Sequence, residues 1–102
     1  MSAYFILSYD VTDPDRYSQY NPGSLGVIME TVGRHKGKVL AAGTDHHWVA
    51  DTRKALVVIE FPTVEAAKAW DEDPDYVKVK AHRLESTSNR FEVIAPQFVM
   101  PS

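Results

Sequence analysis

The sequence predicts an α+β domain of two strand–helix–strand units, in the order βαββαβ, forming a four-stranded antiparallel sheet with both helices on one face. Two observations predict it. A strand-like run leads directly into a helix cap twice, once at Asp13-Pro14 and again at Glu60-Phe61-Pro62-Thr63, before Val64-Glu65-Ala66-Ala67-Lys68-Ala69-Trp70. Apolar residues alternate before the first cap and run almost unbroken before the second, and they recur at helical spacing after each. Two right-handed units of this kind, laid side by side, give the antiparallel sheet.

The first strand spans residues 3 to 11, with Phe5, Leu7 and Tyr9 on one face and Tyr4, Ile6 and Ser8 on the other. Asp13 caps the first helix and Pro14 opens it, where a missing N–H costs nothing. Asp15 adds negative charge at the positive end of the helix dipole. Tyr17 and Tyr20 share a helix face, three residues apart. Asn21-Pro22-Gly23-Ser24 breaks this helix, since Pro22 lacks a donor and clashes with the preceding turn. It resumes to about His35, with Leu25, Ile28, Met29 and Val32 as its core stripe. Gly33 and Gly37 bracket the exit. Val39 to Gly43 is the second strand, and Thr44 to Lys54 a long hairpin connection. The nearly continuous apolar run from Ala55 to Phe61 is a central strand buried on both faces. Thr63 caps the second helix, Asp73-Pro74 restarts it, and it runs to about Leu84. Glu85 to Asn89 reads as a polar loop and Arg90 to Ala95 as the fourth strand. Residues 1–96 are expected to form a single domain, and 97–102 a tail.

Register then sorts the side chains. Phe5, Leu7, Val39, Ala41, Val57, Ile59, Phe61, Phe91 and Val93 are expected to face the helices. Tyr4, Ile6, Ser8, Leu40, Leu56, Val58, Glu60, Glu92 and Ile94 are expected on the opposite face. That face is too apolar to be left in water, and a second copy of the chain is the simplest cover.

Composition narrows the function classes. The 102 residues suffice for one packed core. There is no cysteine, which removes disulfides and thiolate chemistry and fits a reducing, cytoplasmic setting. The formal charge of −3 comes with scattered basic residues, which argues against a nucleic-acid surface. No run approaches the roughly 20 apolar residues that span a bilayer. The N-terminus has neither a basic segment nor a cleavage site typical of a signal peptide.

Several stretches together resemble the domain-of-unknown-function family 1330, within the dimeric α/β-barrel superfamily. They are Val11-Thr12-Asp13-Pro14, Tyr17 with Tyr20, Gly37-Lys38-Val39-Leu40 and Glu60-Phe61-Pro62-Thr63, with Ala66, Ala67, Trp70, Pro74, Tyr76 and Arg83. The resemblance runs from about Tyr4 to Ala95 and implies a ferredoxin-like fold and a homodimer. It departs at Lys36, often glycine in the family, at Ala42, often arginine, and at Asp71, often tyrosine. Superfamily relatives include cofactor-free monooxygenases, small isomerases and haem-handling enzymes, so the resemblance leaves the reaction open.

Tyr17, Tyr20, Trp70 and Tyr76 are the candidate walls of a pocket between the helices and the open sheet edge. Aromatics with polar tips suit a small flat organic ligand, and they equally suit a plain core. Arg83 is the candidate anchor for a ligand acid group, or else a cation complementing the helix C-terminus. His46 and His47, flanked by Asp45 and Asp51, are candidate polar actors, with His47 and Glu60 as candidate proton-transfer groups. The plainer alternatives are a solvated hairpin tip for the histidines and an ion pair with Lys38 or Arg90 for Glu60. Adjacent histidines on an extended strand point to opposite faces, so no metal site is expected. No cofactor motif is present either. Two functions follow as expectations: a small-molecule-binding barrel, active as a cofactor-free oxygenase or isomerase if it is an enzyme, or a non-catalytic dimeric module sensing a ligand or partner.

Overall fold

The computed structural model describes residues 1–50 and 55–101. The chain runs β1 (Ala3–Val11), α1 (Pro14–Tyr17), α2 (Leu25–Arg34), β2 (Lys38–Gly43), β3 (Ala55–Phe61), α3 (Val64–Asp71), α4 (Pro74–Ser86) and β4 (Thr87–Pro96). The sheet is antiparallel throughout, in the order β2-β3-β1-β4. The two strand–helix–strand units are thus present, each helical layer broken into two pieces where the sequence places a proline.

The caps explain the helix starts. Asp13 accepts from the Arg16 N–H at 3.1 Å, Thr63 Oγ1 from the Ala66 N–H at 3.0 Å, and Asp73 from the Asp75 N–H at 3.0 Å. Each satisfies a donor that the first turn leaves orphaned. α1 is only four residues long, and Tyr20 lies in the turn after it, which contains a cis Asn21–Pro22 bond.

α2 ends in a Schellman pattern: the Gly37 N–H donates to the Val32 carbonyl at 2.8 Å and the Lys36 N–H to that of Gly33 at 3.0 Å. The left-handed residue is Lys36, with φ 61°, and not either glycine. Gly37 serves another purpose. A Cβ there would come within 2.6 Å of the Phe61 ring and 2.8 Å of Val32, so only glycine lets β2 start so close to the core.

β1 and β3 have the expected register, with Phe5 opposite Ile59 and Leu7 opposite Val57 on the helix side. β4 corrects the expectation. Ile94 pairs with Phe5 and Glu92 with Leu7, so Ile94 and Glu92 face the helices, while Phe91 and Val93 face away. The phase is set by a bulge where Tyr9 meets both Asn89 and Arg90, Asn89 having φ 50°. The predicted polar loop at Glu85 to Asn89 is also absent: α4 continues to Ser86 and β4 starts at once with Thr87 opposite Val11. On β2 a second irregularity, at Leu40, shifts Ala41 opposite Val58 and Ala42 opposite Val57. Ala41 therefore faces away from the helices and Ala42 toward them, against expectation.

The core lies between the sheet and the helices. Trp70 is at its centre, stacked on Tyr76 at 4.1 Å and edge-on to Phe5 at 5.5 Å. Its indole N–H donates to Thr31 Oγ1 at 3.1 Å, so the buried polar atom is satisfied. Truncating such a side chain costs about 3–5 kcal/mol. The opposite sheet face carries Tyr4, Ile6, Leu56 and Val58, all partly exposed, and Val93, 37% exposed. That face remains apolar and uncovered within one chain.

Candidate ligand-binding site

Between α1–α2 and the β1–β3–β2 half of the sheet lies a cavity of about 80 Å³. Leu7, Tyr9, Val57, Ile59, Val39 and Ala42 form its floor, and Tyr17, Tyr20, Asn21, Leu25, Ile28 and Met29 its roof and mouth, with Trp70 closing the inner end. The α2 stripe thus divides. Ile28 and Val32 are buried in the core, whereas Leu25 and Met29 stay 43% and 48% exposed at the cavity mouth.

Besides Asn21, the polar residues at the cavity are tyrosines whose hydroxyls are arranged in pairs. The hydroxyls of Tyr9 and Tyr17 lie 2.7 Å apart, and those of Tyr20 and Tyr76 lie 2.8 Å apart. Burial pushes the Tyr9 and Tyr20 hydroxyls well above the usual phenol range and raises that of Tyr76, so these groups stay protonated and able to donate. Tyr17 sits 5.9 Å from the Tyr9 ring and 5.8 Å from the Tyr20 ring, linking the two pairs into one aromatic array.

Arg83 stands behind this array. It is fully buried, its guanidinium 5.7 Å from the centre of the Tyr9 ring and 5.9 Å from that of Tyr20. Nη1 lies 2.9 Å from Glu92 Oε1, an ion pair without well-directed hydrogen bonds. Arg83 does not line the cavity.

The candidates proposed from sequence therefore separate. Tyr17, Tyr20 and Trp70 line the cavity, and Tyr76 and Arg83 support it from behind. Glu60 lies elsewhere, opposite Tyr4 and Lys38 on the far sheet face, in a shallow hollow bordered by Lys36 and Lys38. His46 and His47 follow β2 without regular structure; His46 packs edge-on to Trp48 at 4.7 Å, His47 is exposed, and neither lines the cavity. Asp51, the acidic flank proposed for them, lies outside the described residues. Among the described residues no group of three or more His, Asp or Glu is placed to hold a metal ion. Tyr9 and Asn21 are cavity residues that sequence reasoning did not select. For Tyr9 the signal was available, since alternation already put it on the helix face.

The model of a family described as "Domain of unknown function (DUF1330)" matches residues 2–96. No curated protein matches. Among solved structures, a protein of unknown function from Rhodopseudomonas palustris is similar at 15% identity and TM-score 0.72, over 96% of this chain and 84% of that one. A dimeric ferredoxin-like protein of unknown function from Jannaschia sp. CCS1 is similar at 8% identity and TM-score 0.73, over 95% and 100%. A candidate antibiotic biosynthesis monooxygenase from Nitrosomonas europaea is similar at 17% identity and TM-score 0.59, over 97% and 100%. At these identities the likeness establishes the ferredoxin-like fold. Among the described residues, no helix is long and apolar enough to cross a membrane.

Proposed function

The chain belongs to the DUF1330 family, and from that premise we propose that it is a homodimeric small-molecule-binding protein whose ligand enters the tyrosine-lined cavity. One observation carries the reading: an apolar cavity of about 80 Å³, small beside the roughly 300–1,000 Å³ of typical ligand pockets, with the Asn21 amide and the Tyr9, Tyr17 and Tyr20 phenols among its lining residues. Apolar walls with a few convergent polar atoms are what a small organic ligand needs for affinity and orientation. The second copy is proposed to cover the uncovered sheet face around Ile6, Leu56 and Val58, which an isolated chain leaves in water. Similar solved proteins are described as dimeric. A cytoplasmic setting, with which the lack of cysteine is compatible, belongs to the same proposal.

Catalysis is the second reading, as a cofactor-free oxygenase or isomerase. It draws on the likeness to the Nitrosomonas europaea protein. Phenol donors can polarise a carbonyl or steady an enolate oxygen, as such chemistry requires. Among the described residues, however, no carboxylate or imidazole lines the cavity to act as a base, which favours ligand binding, including sensing, over proton transfer.

The test is a thermal-shift screen of small aromatic and alicyclic compounds on the wild type and on Ala42→Trp. Ala42 is an exposed cavity-lining residue on the edge strand β2, so a larger ring there takes up cavity space from the solvent side. Stabilising hits that disappear in Ala42→Trp are expected. Hits that persist there place the ligand elsewhere, and His47 and Glu60 then become the residues to replace.

A further inference from the structure

We propose that the cavity selects an uncharged, largely apolar single-ring compound and holds it by one oxygen that accepts a hydrogen bond from the Tyr9–Tyr17 pair. This rests on the reading above that the cavity is a ligand site, and it adds the chemical class.

The first argument is a count of protons. Each phenol carries one O–H. When two hydroxyls meet at 2.7 Å, one proton lies between them and the other is unspent. Both residues line the cavity, so the unspent proton belongs to a cavity-lining residue whichever hydroxyl donates. Tyr20 and Tyr76, 2.8 Å apart, also share one proton, but only Tyr20 lines the cavity, so the Tyr9–Tyr17 pair is the one with both hydroxyl-bearing residues there. The Tyr9–Tyr17 pair is partly buried, so a ligand ring that shuts water away from it would have to supply an acceptor for its unspent proton. Burial keeps Tyr9 and Tyr20 protonated, so they remain donors.

The second argument is charge. Among the described residues, no Lys, Arg, His, Asp or Glu lines the cavity. The nearby cation, Arg83, is screened from it by the Tyr9 and Tyr20 rings and is already engaged by Glu92 at 2.9 Å. A carboxylate moved from water into such walls loses its hydration and gains no counter-ion. The acid anchor that the sequence suggested for Arg83 is therefore not offered to a ligand. The third argument is size: about 80 Å³ takes in no more than part of one ring, so the rest of a single-ring compound would have to project outward past Leu25 and Met29.

The experiment is a calorimetric titration with three probes sharing one ring, namely acetophenone, toluene and benzoate, at neutral pH. It uses the wild type and the Tyr9→Phe/Tyr17→Phe double variant. Removing both partners of a hydrogen bond while keeping their shape is close to neutral for folding. In the wild type, acetophenone is expected to bind about tenfold tighter than toluene, the gain of one buried hydrogen bond, with no measurable benzoate binding. In the double variant acetophenone should fall to the toluene affinity while toluene stays unchanged. Benzoate binding as tightly as acetophenone, no advantage of acetophenone over toluene, or an advantage that survives in the double variant overturns this inference and leaves the cavity reading standing. Failure of all three probes to bind overturns the cavity reading and this inference with it.

Discussion

Arg83 and Glu92 form an ion pair 2.9 Å long that joins the last turn of α4 to the middle of β4, with the arginine fully buried behind the cavity tyrosines. A guanidinium taken out of water needs its counter-ion close by. Glu92→Leu strands that charge and is expected to lower unfolding stability by about 3 kcal/mol. The double variant Arg83→Met/Glu92→Leu removes both charges and should recover most of the loss. Urea denaturation of the three proteins measures both. A wild-type midpoint for Glu92→Leu would show that the carboxylate is not what stabilises the buried arginine.

Alkali should unfold the protein through its tyrosines. The folded-state pKa of Tyr9, Tyr20 and Tyr76 lies above that of the unfolded chain, where a phenol titrates near 10. Their contribution to stability is fully present below about pH 10 and is lost as pH rises from there toward the folded values. A step in absorbance at 295 nm above pH 10 should coincide with loss of near-ultraviolet circular dichroism. Smooth ionisation of all five tyrosines with the folded signal intact would contradict the buried hydroxyl pairs.

The turn between α2 and β2 supports a pair of opposite effects. Lys36 holds a left-handed conformation that glycine adopts freely, so Lys36→Gly should stabilise by about 0.5–1 kcal/mol. Gly37→Ala drives a methyl group into the Phe61 ring and Val32 and should destabilise by about 1–3 kcal/mol. Thermal unfolding of both variants checks the signs, and equal effects would place the strain elsewhere.

The sequence carried the topology because its signals were local. Asp13, Thr63 and Asp73 cap helices by contacts within three residues, and the pairing of β1 with β3 runs without a bulge. The phase of β4 was not legible, because alternation gives parity only until a bulge intervenes, and the extra residue at Asn89–Arg90 reverses it. The same happened at Leu40 on β2, which exchanged the faces of Ala41 and Ala42. That reversal concealed the Arg83–Glu92 pair, since Glu92 read as facing away from the helices. Of the site, Tyr17 and Tyr20 were legible from their spacing and Trp70 and Tyr76 from the family resemblance, whereas Tyr9 was not selected. The hydroxyl pairs were not legible, because Tyr20 and Tyr76 are 56 residues apart and meet only in three dimensions.

Association through the open sheet face predicts a disruptive single change. Val58 lies opposite Ile6 on the central strands of that face, so Val58→Glu puts a charge where the two copies would meet. Sedimentation velocity at micromolar concentration should show a dimer for the wild type and a folded monomer for the variant. A wild-type monomer would remove the proposed interface.

The most direct test of the cavity as the ligand site is a methyl-resolved NMR titration with acetophenone. The account predicts shifts at Leu7, Ile28, Val39, Val57 and Ile59, which line the cavity, and none at Ile6 or Val58 on the opposite face. Shifts confined to Ile6 and Val58, or to residues around Glu60 and His47, would contradict it.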